Sequence, residues 1–166
     1  MNGVELNLAD GTRCLRNVLG RFATGVVAVA ALDDDGRRAG LAANSFCSVS
    51  LVPPLVSFCV ARTSTSWPRI RTAPLIGITI LGFEQREAAV RLAVTGSDKF
   101  RGMPWVTSPG GAPILDGALA WLECSVEAEH PAGDHDIVVA RVHRLDAEAD
   151  GDPLLFFRGA YGRLSR

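Results

Sequence analysis

Two long β-prone segments, ALAWLECSVEAEH (118–130) and DIVVARVHRLDAEA (136–149), are separated by only five residues, PAGDH. Parallel strands need a crossover of roughly a dozen residues or more, so these two can pair directly only as an antiparallel hairpin. The same constraint recurs upstream. VVAVAAL runs into the turn DDDGRR, where Gly36 suits a positive φ, and a partner strand begins at Ala39. LVSFCVA and PLIGITIL read as buried strands, and PLLFFRGAYGRL as a last short one. Pro53 and Pro54 are expected to interrupt any ladder, since neither can donate a backbone hydrogen bond, and TSPGGAPILDG reads as loop.

Helical spacing is confined to three places. RCLRNVLGRFATG puts Cys14, Leu15, Val18, Leu19 and Phe22 on one face, with Asp10 or Thr12 available as a cap. STSWPRIRTA reads as a short capped helix with Pro68 in its first turn. FEQREAAVRLAV places Ala88, Ala89, Leu92 and Ala93 inward and Glu84, Arg86 and Glu87 outward. Strands outnumber helices and short turns join most of them. This predicts a mainly β fold, an antiparallel barrel or sandwich with a few helices, in one domain over residues 1–166 whose residues 1–9 form a flexible lead.

Composition narrows the function. With 48% hydrophobic and 21% charged residues, the chain has enough apolar material for a core and is not expected to be disordered. A net charge of −1 argues against wholesale nucleic-acid binding, although Arg62, Arg69 and Arg71 make a local basic stretch. Neither a secretion signal nor a run of roughly 20 apolar residues is present, so a cytoplasmic protein without membrane contact is expected. Cys14, Cys47, Cys59 and Cys124 are scattered and lack metal spacing. They read as free thiols, and no metal site is expected.

Three stretches carry chemistry. GLAANSFCSVSLVPPLV (40–56) is nearly free of charge yet rich in hydroxyls, among them Ser45, Ser48 and Ser50 beside Asn44. Such side chains either form a neutral polar wall for a planar heterocycle or cap their own turns. ARTSTSW (61–67) offers Arg62 with Thr63, Ser64 and Ser66 before a helix, either as a phosphate site or as a plain Ser/Thr cap. GDH (133–135) sets His135 beside Asp134 at a hairpin turn, where it either contacts a ligand or is an incidental polar residue.

Taken in order, RNVLGRFATGVVAVAA, AANSFCSVSLVPPLVSFCVARTSTSW, EQREAAVRLA, DKF, GAPILDGALAWLECSV, AGDHDIVVARV and PLLFFRGAYGRL resemble the short-chain flavin reductases. These are the NAD(P)H:flavin oxidoreductases of two-component monooxygenases. The resemblance runs from about Arg16 to Leu164, and its most specific parts are the NSFxSVSLxPPL block and the GDH turn. It implies an antiparallel split β-barrel of Greek-key type, usually a homodimer, with flavin in a groove near the dimer interface.

By the same resemblance Asn44, Ser45, Phe46, Ser48, Val49 and Ser50 would line the ring and ribityl portions of FMN or FAD. Ala61, Arg62, Thr63, Ser64 and Ser66 would hold the phosphate end, with Lys99 and Phe100 near the flavin and Tyr161 close by. His135 would face the nicotinamide of NADH or NADPH, and a flavin-dependent monooxygenase would receive the reduced flavin. A flavin-binding member of the same fold that is not a reductase is the second reading. The chain departs from the family pattern at Ala42, where members often carry Thr, at Ile78 and Thr79, and at Leu92, where an aromatic is usual. Substituting His135→Ala is expected to raise the apparent KM for NADH more than it weakens flavin binding. Steady-state kinetics showing an unchanged NADH dependence would remove His135 from the site.

Overall fold

The computed structural model describes residues 11–96, 99–147 and 150–164, so the lead segment 1–9 and the Asp10 cap lie outside the described residues. The α-helices among the described residues are α1 (Gly11–Leu19), α2 (Trp67–Ile70) and α3 (Arg86–Ala93), with one 3-10 turn at Phe83–Gln85. The strands up to the middle of the chain are β1 (Thr24–Gly25), β2 (Val27–Leu32), β3 (Arg38–Ala43), β4 (Cys47–Leu51), β5 (Pro54–Ala61) and β6 (Ile76–Ile80). They are followed by β7 (Trp105–Thr107), β8 (Pro113–Leu115), β9 (Ala120–Ala132), β10 (His135–Ala147), β11 (Leu155–Phe157) and β12 (Ala160–Gly162).

Seven strands form one antiparallel sheet in the order β3-β2-β6-β9-β10-β5-β4. The strands β1, β11 and β12 form a small second sheet, and β7 and β8 a separate hairpin. The large sheet ends in β3 and β4, and no ladder joins those two edges among the described residues. The mainly β, antiparallel expectation therefore holds.

Two local expectations do not. TSPGGAPILDG is not simply loop, because Thr107 and Pro113–Leu115 take part in the β7–β8 ladder. Nor do the prolines end the β4–β5 pairing. Val52 and Pro53 make its turn and the ladder resumes with Leu51 opposite Pro54, on an edge hairpin where the missing N–H is harmless.

The unbroken apolar run of β2 has a structural cause. Successive side chains on a strand point to opposite faces. Val27, Val29 and Ala31 enter one core with Leu41, Phe58, Ile76, Ile78, Val138 and Ala140. Val26, Ala28 and Ala30 enter a second core with Leu81, Ala88, Ala89, Leu92, Trp105 and Leu154. A strand buried on both sides cannot alternate apolar with polar residues. In the first core the Phe58 and Trp67 rings meet edge to face at 5.7 Å, which fixes α2 against β5.

α3 buries Ala88, Ala89 and Leu92 on the second core, as its spacing predicts, but Ala93 is exposed. Val18 and Leu19 on α1 and Phe22 just after it are 59%, 61% and 76% exposed. Among the described residues no helix is long and apolar enough to cross a membrane.

One buried charge fastens the periphery to the sheet. Glu123 on β9 is fully buried. Its carboxylate accepts from the Ser108 hydroxyl at 2.5 Å and the Gly110 N–H at 2.7 Å, and pairs with the Arg144 guanidinium. A Cβ at Gly110 would overlap that carboxylate, so any larger residue there would displace Glu123 from its partners. Burial pushes the Glu123 carboxyl upward, but Ser108, Arg144 and Gly110 outweigh it and hold it below its ordinary 4.5. A depressed carboxyl stabilises the fold above its unfolded pKa, and that contribution is lost as pH falls through the folded value. Glu123→Gln is therefore expected to be less stable than wild type near neutral pH, with the difference narrowing as pH drops below 4.5. Urea unfolding across that range checks it, and a difference constant with pH would contradict it.

Candidate functional site

The β10–β5 ladder assembles the site. Its register sets His135 opposite Ala61 and Asp136 opposite Val60, so the GDH turn sits beside the start of ARTSTSW. The Arg62 N–H donates to the Asp134 carbonyl at 3.0 Å, which closes this corner. Gly133, at φ +66°, lets the chain reverse between β9 and β10. The Asn44–Phe46 loop is held against β5 by one side chain. Ser45 Oγ accepts from the Cys59 N–H at 2.8 Å and lies 3.4 Å from the Cys59 carbonyl, to which it donates.

Between these segments lies a cavity of about 370 Å³. Its walls are Leu41–Ser45 of β3 and the following loop, Cys59–Ala61 of β5, Thr63–Ser66, Leu92–Thr95 at the end of α3, Lys99 and His135. Of the site residues expected from sequence, Asn44, Ser45, Ala61, Thr63, Ser64, Ser66, Lys99 and His135 line this one cavity.

The others lie elsewhere. Phe46 is half-buried against the first core. Ser48, Val49 and Ser50 stand on the edge strand β4, where Ser48 and Val49 are exposed. Phe100 packs on Trp105 with ring centroids 4.9 Å apart. Tyr161 packs on Phe156 at 5.4 Å and lines a smaller neighbouring cavity of about 170 Å³, which shares Ala42, Ala43 and Asn44 with the first. Arg62 turns from the cavity to Asp136, at 3.2 Å.

The cation at the hydroxyl corner is thus Lys99 rather than Arg62. Its Nζ donates to Ser66 Oγ at 3.1 Å, the Leu92 carbonyl at 3.3 Å and the Gly40 carbonyl at 3.4 Å. Desolvation, and after it the charge of Arg69, hold the Lys99 pKa below its ordinary 10.5. Arg69 itself is clamped by Asp33 through bonds of 3.0 and 2.6 Å. The helix expected behind the hydroxyls is a single turn of four residues, Trp67–Ile70. Its dipole is therefore weak, and the groups of this corner able to meet an anion are the hydroxyls and Lys99.

At the other side, His135 Nδ1 lies 2.8 Å from Asp134 Oδ1. That contact, with the charges of His135 and then Arg16, holds the Asp134 carboxyl below its ordinary value. With Nδ1 engaged, Nε2 is the ring nitrogen left to meet a ligand.

Sequence reasoning missed Thr65 and the Ala93–Val94–Thr95 wall. Thr65 was legible inside TSTS. The α3 wall was not, since only the packing of α3 over β3 brings it there.

The sequence model described as "Flavin reductase like domain" matches residues 19–165. A protein of Pseudomonas putida named flavin reductase is 45% identical over 89% of this chain and 86% of its own length. The reductase subunit HsaB of a flavin-dependent monooxygenase from Rhodococcus jostii is 43% identical over 90% of this chain and 76% of its own. Among solved structures, Streptomyces globisporus NADH:FAD oxidoreductase SgcE6, in complex with NAD and FAD fragments, superposes with a TM-score of 0.88 at 34% identity. That match covers 98% of both chains.

Ser45→Ala leaves the part-buried Cys59 N–H without its acceptor and is expected to lower stability by about 1–3 kcal/mol. Thermal unfolding measures it, and an unchanged midpoint would show that Ser45 does not hold the loop.

Proposed function

The chain belongs to the flavin reductase like family, and on that premise we propose that it transfers a hydride from NADH or NADPH to FMN or FAD and supplies the reduced flavin to a separate monooxygenase. The observation that carries this reading is the single cavity with two unlike ends. One end is the Thr63–Ser66 corner with the Lys99 ammonium, suited to a phosphate. The other is the Asn44–Ser45 loop with the His135 ring, whose amide, hydroxyl and imidazole suit a polar heterocycle. Its volume, about 370 Å³, falls in the range of small-ligand and cofactor sites. The donor set therefore fits a phosphorylated flavin.

A flavin held there would supply N5 as the acceptor for a hydride that leaves the nicotinamide C4 with both electrons of the broken C–H bond. The chain's own task is orientation and charge. Ser64, Ser66 and Lys99 hold the anionic tail and fix the depth of the ring system. Asn44 offers its amide beside the ring edge. His135, oriented by Asp134, positions the nicotinamide and needs to transfer no proton during the hydride step. Ser48, Val49 and Ser50 are assigned to the flavin from the resemblance alone, since the cavity of one chain does not reach them.

We also propose the split barrel, the homodimer and the cytoplasmic location of the family. The barrel reading is supported by β3 and β5 sharing the first core. The homodimer is supported by Leu51 and Val52, 86% and 92% exposed at the tip of the β4–β5 hairpin, and by the exposed Val18, Leu19 and Phe22.

Anaerobic mixing with NADH or NADPH and each of FMN, FAD and riboflavin tests the function. Bleaching of the flavin absorbance at catalytic protein concentrations is expected, and initial rates rank both substrates. Tight flavin binding with no bleaching by either nicotinamide would replace the reductase with a flavin-binding protein of the same fold.

A further inference from the structure

The Thr63–Ser66 corner is held in place by a residue that lines neither of the cavities described above. Glu129 on β9 stands opposite Val138 in the β9–β10 ladder. Directly paired residues share a face of the sheet, and Val138 is buried in the first core. Glu129 is thus a carboxylate on the apolar side of the sheet, where a charge persists only with partners. Its Oε2 accepts from the Trp67 indole N–H at 3.0 Å, and its Oε1 lies 2.9 Å from the Arg71 guanidinium.

Trp67 is the first residue of α2 and Arg71 the one that follows its last. One side chain of the sheet therefore grips both ends of the helix. A single turn does not sustain itself in water, so its position depends on ties of this kind, the Trp67 contact with Phe58 among them. Trp67 is only 5% exposed, and without Glu129 its indole N–H would be a buried donor lacking this acceptor.

The hydroxyls of the corner hang on the same helix. The Trp67 backbone N–H donates to Ser64 Oγ at 3.2 Å, and Lys99 Nζ donates to Ser66 Oγ at 3.1 Å. The Ser66 carbonyl accepts from the Arg69 and Ile70 N–H groups at 3.1 and 3.2 Å, which joins Ser66 to the turn. Both serine oxygens are engaged as acceptors, so each hydroxyl keeps its hydrogen to give to a ligand oxygen. The helix sets the direction of these two donors, and Glu129 sets the helix.

We propose that Glu129 is a positioning residue for the flavin phosphate: by fixing Trp67 and Arg71 it aims the Ser64 and Ser66 hydroxyls, and so makes the site bind FMN in preference to riboflavin, which lacks the phosphate. The inference rests on the reading of the Thr63–Ser66 corner as the phosphate end of a flavin cavity. Donors aimed in advance at an anion avoid the cost of being ordered on binding, whereas donors on a loose turn bear it. The ring end of the cavity is tied elsewhere, Ser45 to the Cys59 backbone and His135 to the β5–β10 ladder. Its hold on a ring system is therefore independent of Glu129.

The test measures dissociation constants of FMN and of riboflavin by flavin fluorescence, without nicotinamide, for wild type, Glu129→Ala, Glu129→Gln and Trp67→Phe. Wild type is expected to prefer FMN. Glu129→Ala is expected to weaken FMN about tenfold and leave riboflavin unchanged, so that the preference falls by the same factor. Glu129→Gln keeps an oxygen for the indole N–H and is expected to restore most of the preference. Trp67→Phe keeps a ring beside Phe58 but has no N–H to give, and is expected to lose part of it. A loss shared equally by FMN and riboflavin would overturn the proposal, because a general loosening of the fold does not distinguish the two ligands. So would a preference unchanged in Glu129→Ala and Trp67→Phe. Should Glu129→Ala not fold, Trp67→Phe decides: a lowered preference supports the proposal and a preserved one overturns it. A wild type that binds both ligands equally would remove the phosphate reading of the corner, and the role of Glu129 with it. Turnover enters none of these outcomes, so a failure of the reductase reading shows separately, in the bleaching assay.

Discussion

The antiparallel register between β5 and β10 is the constraint on which the site depends. It places His135 across from Ala61 and so joins two segments separated by nearly half of the chain: Arg62 and Asp136, 74 residues apart, form an ion pair there. Ser45 is fastened to Cys59, two residues from Ala61 along β5, and Thr63–Ser66 leave from the end of that strand. A slip of one residue would turn each strand's side chains to the opposite face and take His135 out of the cavity.

Charge is distributed with a pattern. Along the sheet and its flanks, guanidinium groups are neutralised by carboxylates at short range, including the buried Glu123, which serves to fasten the β7–β8 turn. Among the described residues Lys99 departs from this: it is partly desolvated, and its Nζ donates to the neutral oxygens of Ser66, Leu92 and Gly40, which leaves a cation at the hydroxyl corner.

Much of the site was readable because the residues lie in short contiguous motifs. Asn44 and Ser45 come from one, Thr63, Ser64 and Ser66 from a second, and His135 from a third, and the ladders bring all three together. What was misread concerns direction. Arg62 carries the right charge in the right motif, yet its side chain is drawn outward by Asp136 on the neighbouring strand. Ser45 reads as a ligand hydroxyl but spends its oxygen on the Cys59 backbone. No local pattern reports which of two partners a polar side chain will reach.

The antiparallel pairing of the long strands and the burial of β2 follow from the sequence, because β-branched runs and turns too short for crossovers leave few alternatives. The family follows as well, because its motifs occur in order along nearly the whole chain. The choice of Lys99 as the corner cation and the α3 wall were decided only in three dimensions. They depend on contacts such as those between α3 and β3. Such contacts are set by packing and closure over long sequence separations, to which periodicity and spacing are blind.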